Sequence, residues 1–98
     1  MMFDHTDKKP SHQYPAQFND YWGSIKVYDE GIVIFTKTNQ ISIRNGYVDS
    51  LRKSGEVILG KINVEISYYD MFGNKQKLEA LMRESDFAAL RADLNKIG

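Results

Sequence analysis

The sequence predicts a mainly β (α+β) fold. Seven short strands form a strongly bent antiparallel sheet or partly open barrel, capped by one C-terminal amphipathic helix. Three observations carry this expectation. Residues Ile62–Tyr68 alternate apolar and polar without a break, the period-2 signature of a half-buried antiparallel strand. Turn-forming residues recur at short intervals from Asp29 to Asn74, which leaves room for strands but not for helices. Helical spacing appears only at the end, where Phe87, Leu90, Leu94 and Ile97 make one apolar stripe.

Residues 1–20 show no period of 2 or 3.6 and contain Pro10 and Pro15, so they read as an N-terminal arm ahead of a single domain over residues 21–98. Phe3, Tyr14 and Phe18 can pin that arm, since an aromatic ring gains free energy wherever it leaves water. After Tyr21-Trp22-Gly23, Ile25 and Val27 share one face of a first strand. Asp29-Glu30-Gly31 reads as a tight turn with Gly31 supplying a positive φ. The continuous run Ile32-Val33-Ile34-Phe35 reads as the centre of the sheet. Thr38-Asn39 reverses the chain into Ile41-Ser42-Ile43-Arg44. Asn45-Gly46 is the strongest hairpin signal in the chain, because both residues tolerate the φ > 0 of a type I′ turn, so Tyr47–Arg52 is expected to return antiparallel.

Lys53-Ser54-Gly55 separates that strand from a short one at Val57-Ile58-Leu59. In the next, Ile62, Val64, Ile66 and Tyr68 face the core while Asn63, Glu65 and Ser67 face water. A turn at Met71-Phe72-Gly73-Asn74 leads to the last strand, Lys75–Met82, with Leu78, Ala80 and Met82 on one face. Ser85 is the expected N-cap of the helix, with Asp86 in the first turn favouring the positive end of the helix dipole. A helix this short is marginal alone in water, so its stripe is expected to plug the open end of the sheet.

Ninety-eight residues make one domain with one core. Thirteen basic residues balance thirteen acidic ones, so no whole-molecule field recruits nucleic acid or an anionic membrane. Cysteine is absent, which excludes disulfides and thiolate chemistry and fits a cytoplasmic setting. No apolar run is long enough to span a bilayer or to form a signal-peptide core, and the chain reads as soluble and unprocessed.

The elements over Ile25–Thr36 with its Asp29-Glu30-Gly31 turn, Ile41–Leu51 and Ile62–Ile97 together resemble the pleckstrin-homology superfold, closest to the small bacterial and archaeal PH-like domains. An SH3-like or OB-type barrel with an added helix is the alternative fold. The resemblance implies a binding or scaffolding module and not an enzyme. In lipid-binding members, basic residues around the first strand loop hold the phosphoinositide head group. Here that loop is Asp29-Glu30-Gly31, short and acidic, and its charge repels a polyphosphate.

Candidate chemistry is sparse. His5 and His12 with Asp4 and Asp7 carry metal-ligand atoms but no frame to converge them, so no metal site or cofactor is expected. No nucleophile sits in an elbow or spaced motif, so no catalytic residue is expected. Arg44, Arg52, Lys53 and Lys61, with Lys75 and Lys77, form a candidate basic face that Tyr28, Tyr47 and Tyr69 can interleave. Glu30, Glu56, Glu65 and Glu79 run through the same strands, which disfavours nucleic acid. Trp22, Tyr69 and Phe72 are the candidate partner-binding residues, because exposed aromatics bury much area at low entropy cost. The expected function is a noncatalytic interaction or scaffolding module for a protein or peptide, including a second copy of itself. Strand addition at an open sheet edge, together with apolar side chains docking beside the C-terminal helix, is its expected mode. Peripheral binding to an anionic membrane surface through the basic face is the alternative.

Overall fold

A computed structural model describes residues 8–97 and the side chains of residues 8–95. Among these residues, seven strands form one antiparallel sheet: β1 (His12–Phe18), β2 (Tyr21–Tyr28), β3 (Gly31–Phe35), β4 (Gln40–Arg44), β5 (Val48–Ile58), β6 (Lys61–Tyr69) and β7 (Lys75–Arg83). A 3₁₀ turn (Asn45–Tyr47) links β4 to β5, and one helix, α1 (Glu84–Ile97), follows β7 directly. The strand order is β4-β3-β2-β1-β7-β6-β5, so β4 and β5 are the two ends of an open sheet. The expected mainly β architecture with one C-terminal helix is therefore present.

The sheet consists of two meanders, β1–β4 and β5–β7, that meet at β1. Strand β1 pairs with β2 from His12↔Val27 to Phe18↔Tyr21, but with β7 only at Gln17↔Leu81. Bending there lets both meanders share one core: Tyr14, Phe18, Ile25, Ile34, Ile66 and Met82 belong to a single buried cluster with Phe87 and Leu90 of α1. Each fully buried aliphatic side chain stabilises the fold by roughly 1.5–3 kcal/mol. Leu94 is half-buried against the same cluster, so the helical stripe plugs the sheet as its spacing predicts. The side chain of Ile97 lies outside those described.

Several local expectations are corrected. The N-terminal arm over 1–20 contains β1, the strand that joins the two meanders, so the boundary at residue 21 does not separate it from the domain; residues 1–7 lie outside those described. Proline fits at 15 because the flank of β1 away from β2 is paired only at Gln17, so a missing N–H forfeits no ladder bond to β7 there. The two expected strands at Tyr47–Arg52 and Val57–Leu59 are one strand, β5, interrupted by an irregular register between Ser54 and Ile58, with Gly55 at φ +80°. That pattern is a bulge, and it accounts for the break in alternation.

Asn45-Gly46 makes no hairpin, because β4 and β5 lie at opposite ends of the strand order. Asn45 instead ties the 3₁₀ turn to the β2–β3 turn, its backbone N–H donating to Glu30 O at 3.1 Å and its side-chain amide to Asp29 O at 2.9 Å. The two-residue turn with both φ values positive is Leu59-Gly60, at +55° and +76°. Gly31 is not at positive φ. Its requirement is close approach: a Cβ there would lie 2.1 Å from Ile43 O. Ile32, Val33 and Ile34 are fully buried, yet β3 is next to last in the order and β1 holds the centre. Val33 packs with Tyr28 and Phe35 in a separate small cluster on the second face. The helix starts one residue earlier than expected, at Glu84, so Ser85 sits in its first turn and is not its N-cap.

Candidate functional site

Strand β5 is the longer of the two sheet ends, eleven residues against five in β4. It pairs only with β6, in a regular register from Ser50↔Ser67 to Ser54↔Asn63. Its other flank therefore carries the unpaired backbone groups of an edge strand. Alternation places Leu51 and Lys53 on the face that pairs with Ile66 and Val64, toward the core and helix, and Arg52 on the opposite face across from Glu65.

A groove runs between this edge and α1. Its deeper part has a volume of about 380 Å³ and is lined by Val48, Asp49, Ser50, Leu51 and Arg52 from the sheet, by Asn45 from the turn before β5, and by Arg91, Leu94 and Asn95 from the helix. A shallower continuation passes between Lys53 and the helical residues Phe87, Ala88, Arg91 and Ala92. Leu51 and Leu94 supply an apolar floor, while the alanines leave room for close approach. The site thus combines an open backbone edge, an apolar floor and three cations, with one carboxylate, Asp49, that is engaged by Lys75.

The expected basic face does not gather as one surface. Arg44 is on β4 and pairs with Glu30 at 3.8 Å. Lys61 holds its ammonium over the Trp22 ring, 5.3 Å from the centroid. Arg52 and Lys53 sit on β5, at the other end of the strand order from Arg44. Lys75 pairs with Asp49 at 3.1 Å and Lys77 with Glu65 at 3.9 Å. Arg91, which lies off the apolar stripe of α1, joins Arg52 and Lys53 at the groove; only the packing of α1 against the sheet brings them together.

The three candidate aromatics fall into two places. Trp22 is 59% exposed at the start of β2, and its contact with Lys61 places it beside the beginning of β6. Tyr69 ends β6, roughly 25 Å away along the strand. Phe72, 81% exposed, projects from the adjoining β6–β7 loop. That loop is organised by Asp70, whose carboxylate accepts from the backbone N–H groups of Phe72 and Asn74, both at 2.9 Å, and from the Gln76 amide at 3.0 Å. These bonds, the Asn74 one foremost, hold the Asp70 carboxyl below its ordinary pKa of 3.8.

A further apolar feature went unrecognised because Val57-Ile58-Leu59 reads as a short strand. Those residues form the β5–β6 hairpin tip, with Ile58 68% and Leu59 95% exposed. The signal available was the Gly60 that follows, which permits a tight turn.

His12 lies against α1, its Nδ1 3.1 Å from Asp93 Oδ2 and its ring stacked on Tyr14. Among the described residues no three His, Asp or Glu side chains converge as a metal site would require, and no helix is long and apolar enough to cross a membrane. His5, Asp4 and Asp7 lie outside the described residues.

Comparison with known proteins adds no relative: no protein-family model matches the chain, and no curated protein matches it either.

Proposed function

We propose that this chain is a noncatalytic PH-like interaction module that binds an extended segment of a protein partner by strand addition to β5. The observation that carries the reading is the open β5 edge bordered by the groove against α1. Main-chain hydrogen bonds to the edge supply affinity, and side chains of the added strand that alternate into the groove supply selectivity. Seven antiparallel strands with one C-terminal helix support the PH-like resemblance. His12 supports the noncatalytic reading, because Asp93 and the Tyr14 ring engage it where the helix is clamped to the sheet. The absence of cysteine fits a reducing, cytoplasmic setting.

The test is photo-crosslinking in extract of the source cell from a probe at Ser54, on the edge, and from one at Gln13, on β1. Strand addition yields a defined product from position 54 that is missing from position 13. Equal products from both positions, or one from position 13 alone, would count against the edge.

A further inference from the structure

The charge distribution around the groove narrows what the edge accepts. The chain carries no net charge, and most of its described cations are compensated within the fold. Lys8 and Arg44 engage Glu30, Lys75 engages Asp49 and Lys77 engages Glu65. Lys26, Lys37 and Lys61 lie over the rings of Phe35, Tyr21 and Trp22. Among the described residues, Arg52, Lys53, Arg91, Lys9 and Arg83 have no ion pair, and of these Arg52, Lys53 and Arg91 line the groove between β5 and α1. Two carboxylates lie close by, Asp49 in the lining of the groove and Glu65 across the strand pair from Arg52, and neither makes an ion pair with these cations. Asp49 and Glu65 are held by lysines, and Glu84 borders only the shallow continuation at the start of the helix.

From this we infer that the groove takes a short acidic extended segment of another protein, an inference that rests on the strand-addition reading and adds the chemistry of the strand. The regular part of the edge, Ser50–Ser54, limits the added ladder to a few residues, because the register is irregular on both sides of it. Along such a strand, residues turned toward the helix meet the Leu51 and Leu94 floor with Lys53 and Arg91 beside it. Residues turned the other way meet Arg52. Carboxylates on either face therefore find a cation at hydrogen-bonding reach of a flexible side chain, and guanidinium forks match carboxylate geometry. A second copy of the same edge fits less well: antiparallel self-pairing centred on this segment sets Arg52 opposite Arg52, and like charges directly opposite are destabilising.

The test titrates the full-length ¹⁵N-labelled chain with two blocked peptides, Thr-Glu-Val-Glu-Val-Glu-Val-Glu-Thr and its counterpart with lysine at every glutamate. The expected result is movement of the Ser50–Ser54 and Ala88–Asn95 amide signals with the acidic peptide alone, weakening as salt shortens the screening length from about 8 Å at 0.15 M to about 3 Å at 1 M. Arg52→Glu and Arg91→Glu, both at exposed positions and with native amide spectra as the folding control, each weaken binding about fivefold or more. If both peptides move the β5 signals alike, strand addition stands and the acidic preference falls. If neither moves them, or the shifts map away from β5 and α1, the inference and the edge reading fall together. Sedimentation with phosphatidylserine vesicles that is abolished by the same two variants, with no response to either peptide, would assign the cations to a lipid head group instead.

Discussion

The Tyr14 hydroxyl donates to the Asp93 carboxylate at 2.6 Å across 79 residues of sequence, joining β1 to the C-terminal half of α1. Asp93 Oδ2 also lies 3.1 Å from His12 Nδ1, and its side chain is largely withdrawn from solvent. One strand that sequence reasoning left in an arm thus clamps the helix that closes the core.

Tyr14→Phe keeps the ring and deletes the donor, leaving a part-buried carboxylate short of one bond. The expected loss is about 1.5–3 kcal/mol, the range for a hydrogen bond to a charged group, read from urea unfolding. The pH dependence follows from the same contact. Burial, and then the Asp93 hydrogen bond and charge, hold the Tyr14 pKa well above its ordinary 10.0. The folded state favours the neutral phenol, so this contribution is complete below about pH 10 and is lost as the pH rises beyond the value at which the unfolded chain ionises. Stability curves of the wild type and Tyr14→Phe are expected to converge above pH 10. A constant separation through that range would show that the hydroxyl does not carry the clamp.

Asp70 makes the opposite prediction at the acid end. Its folded-state pKa is depressed below 3.8 by hydrogen bonds from Asn74, Gln76 and Phe72, so its contribution is present above the ordinary carboxylate value and is lost as the pH falls through the lowered one. Asp70→Ala should therefore melt below the wild type at pH 7 and approach it near pH 2. Thermal unfolding across that range decides the matter; parallel curves would mean the loop is held by its backbone bonds alone.

Local periodicity made part of this legible. The stripe Phe87, Leu90 and Leu94 and the apolar set Ile62, Val64 and Ile66 each report one element's own burial and match the structure, but the alternation fails at the end of β6, where Ser67, expected to face water, is 2% exposed and Tyr68 is half-buried. β1 was hidden although Tyr14, Ala16 and Phe18 alternate, because Pro15 ordinarily argues against a central strand, and its tolerance depends on how little of β1 pairs with β7. Gly55 split β5 in the same way, while Asn45-Gly46 met a hairpin preference that the tertiary path overrode. The groove was legible only as its ingredients: Arg52 and Lys53 stand out as basic, but their meeting with Arg91 depends on helix packing that no local pattern encodes.

Gly31→Ala tests the closest backbone approach in the β3–β4 pair. The new methyl would meet Ile43 O at 2.1 Å and Arg44 Cα at 2.8 Å, and main-chain atoms inside a paired register cannot rotate away as a side chain would. A destabilisation of about 1–3 kcal/mol is expected, the usual cost of overpacking. Gly46→Ala is the control, since nothing lies within 4 Å of the corresponding position. Equal denaturation midpoints for the two variants would refute the close-packing account.

Leu59 stands at a turn position with φ +55° and is 95% exposed, so it bears left-handed strain and buries almost nothing in return. Asparagine tolerates that conformation far better than leucine, and Leu59→Asn is expected to raise stability by about 1 kcal/mol. The same substitution removes an apolar side chain from the hairpin tip next to the β5 edge, which separates folding from recognition. If the tip contacts the partner strand's flanking surface, the crosslink from Ser54 weakens while the melting temperature rises, a combination that loss of structure cannot produce. If recognition is confined to the Ser50–Ser54 ladder and the cations of the groove, the melting temperature rises and the crosslink is unchanged. A fall in melting temperature would contradict the strain assigned to Leu59 itself.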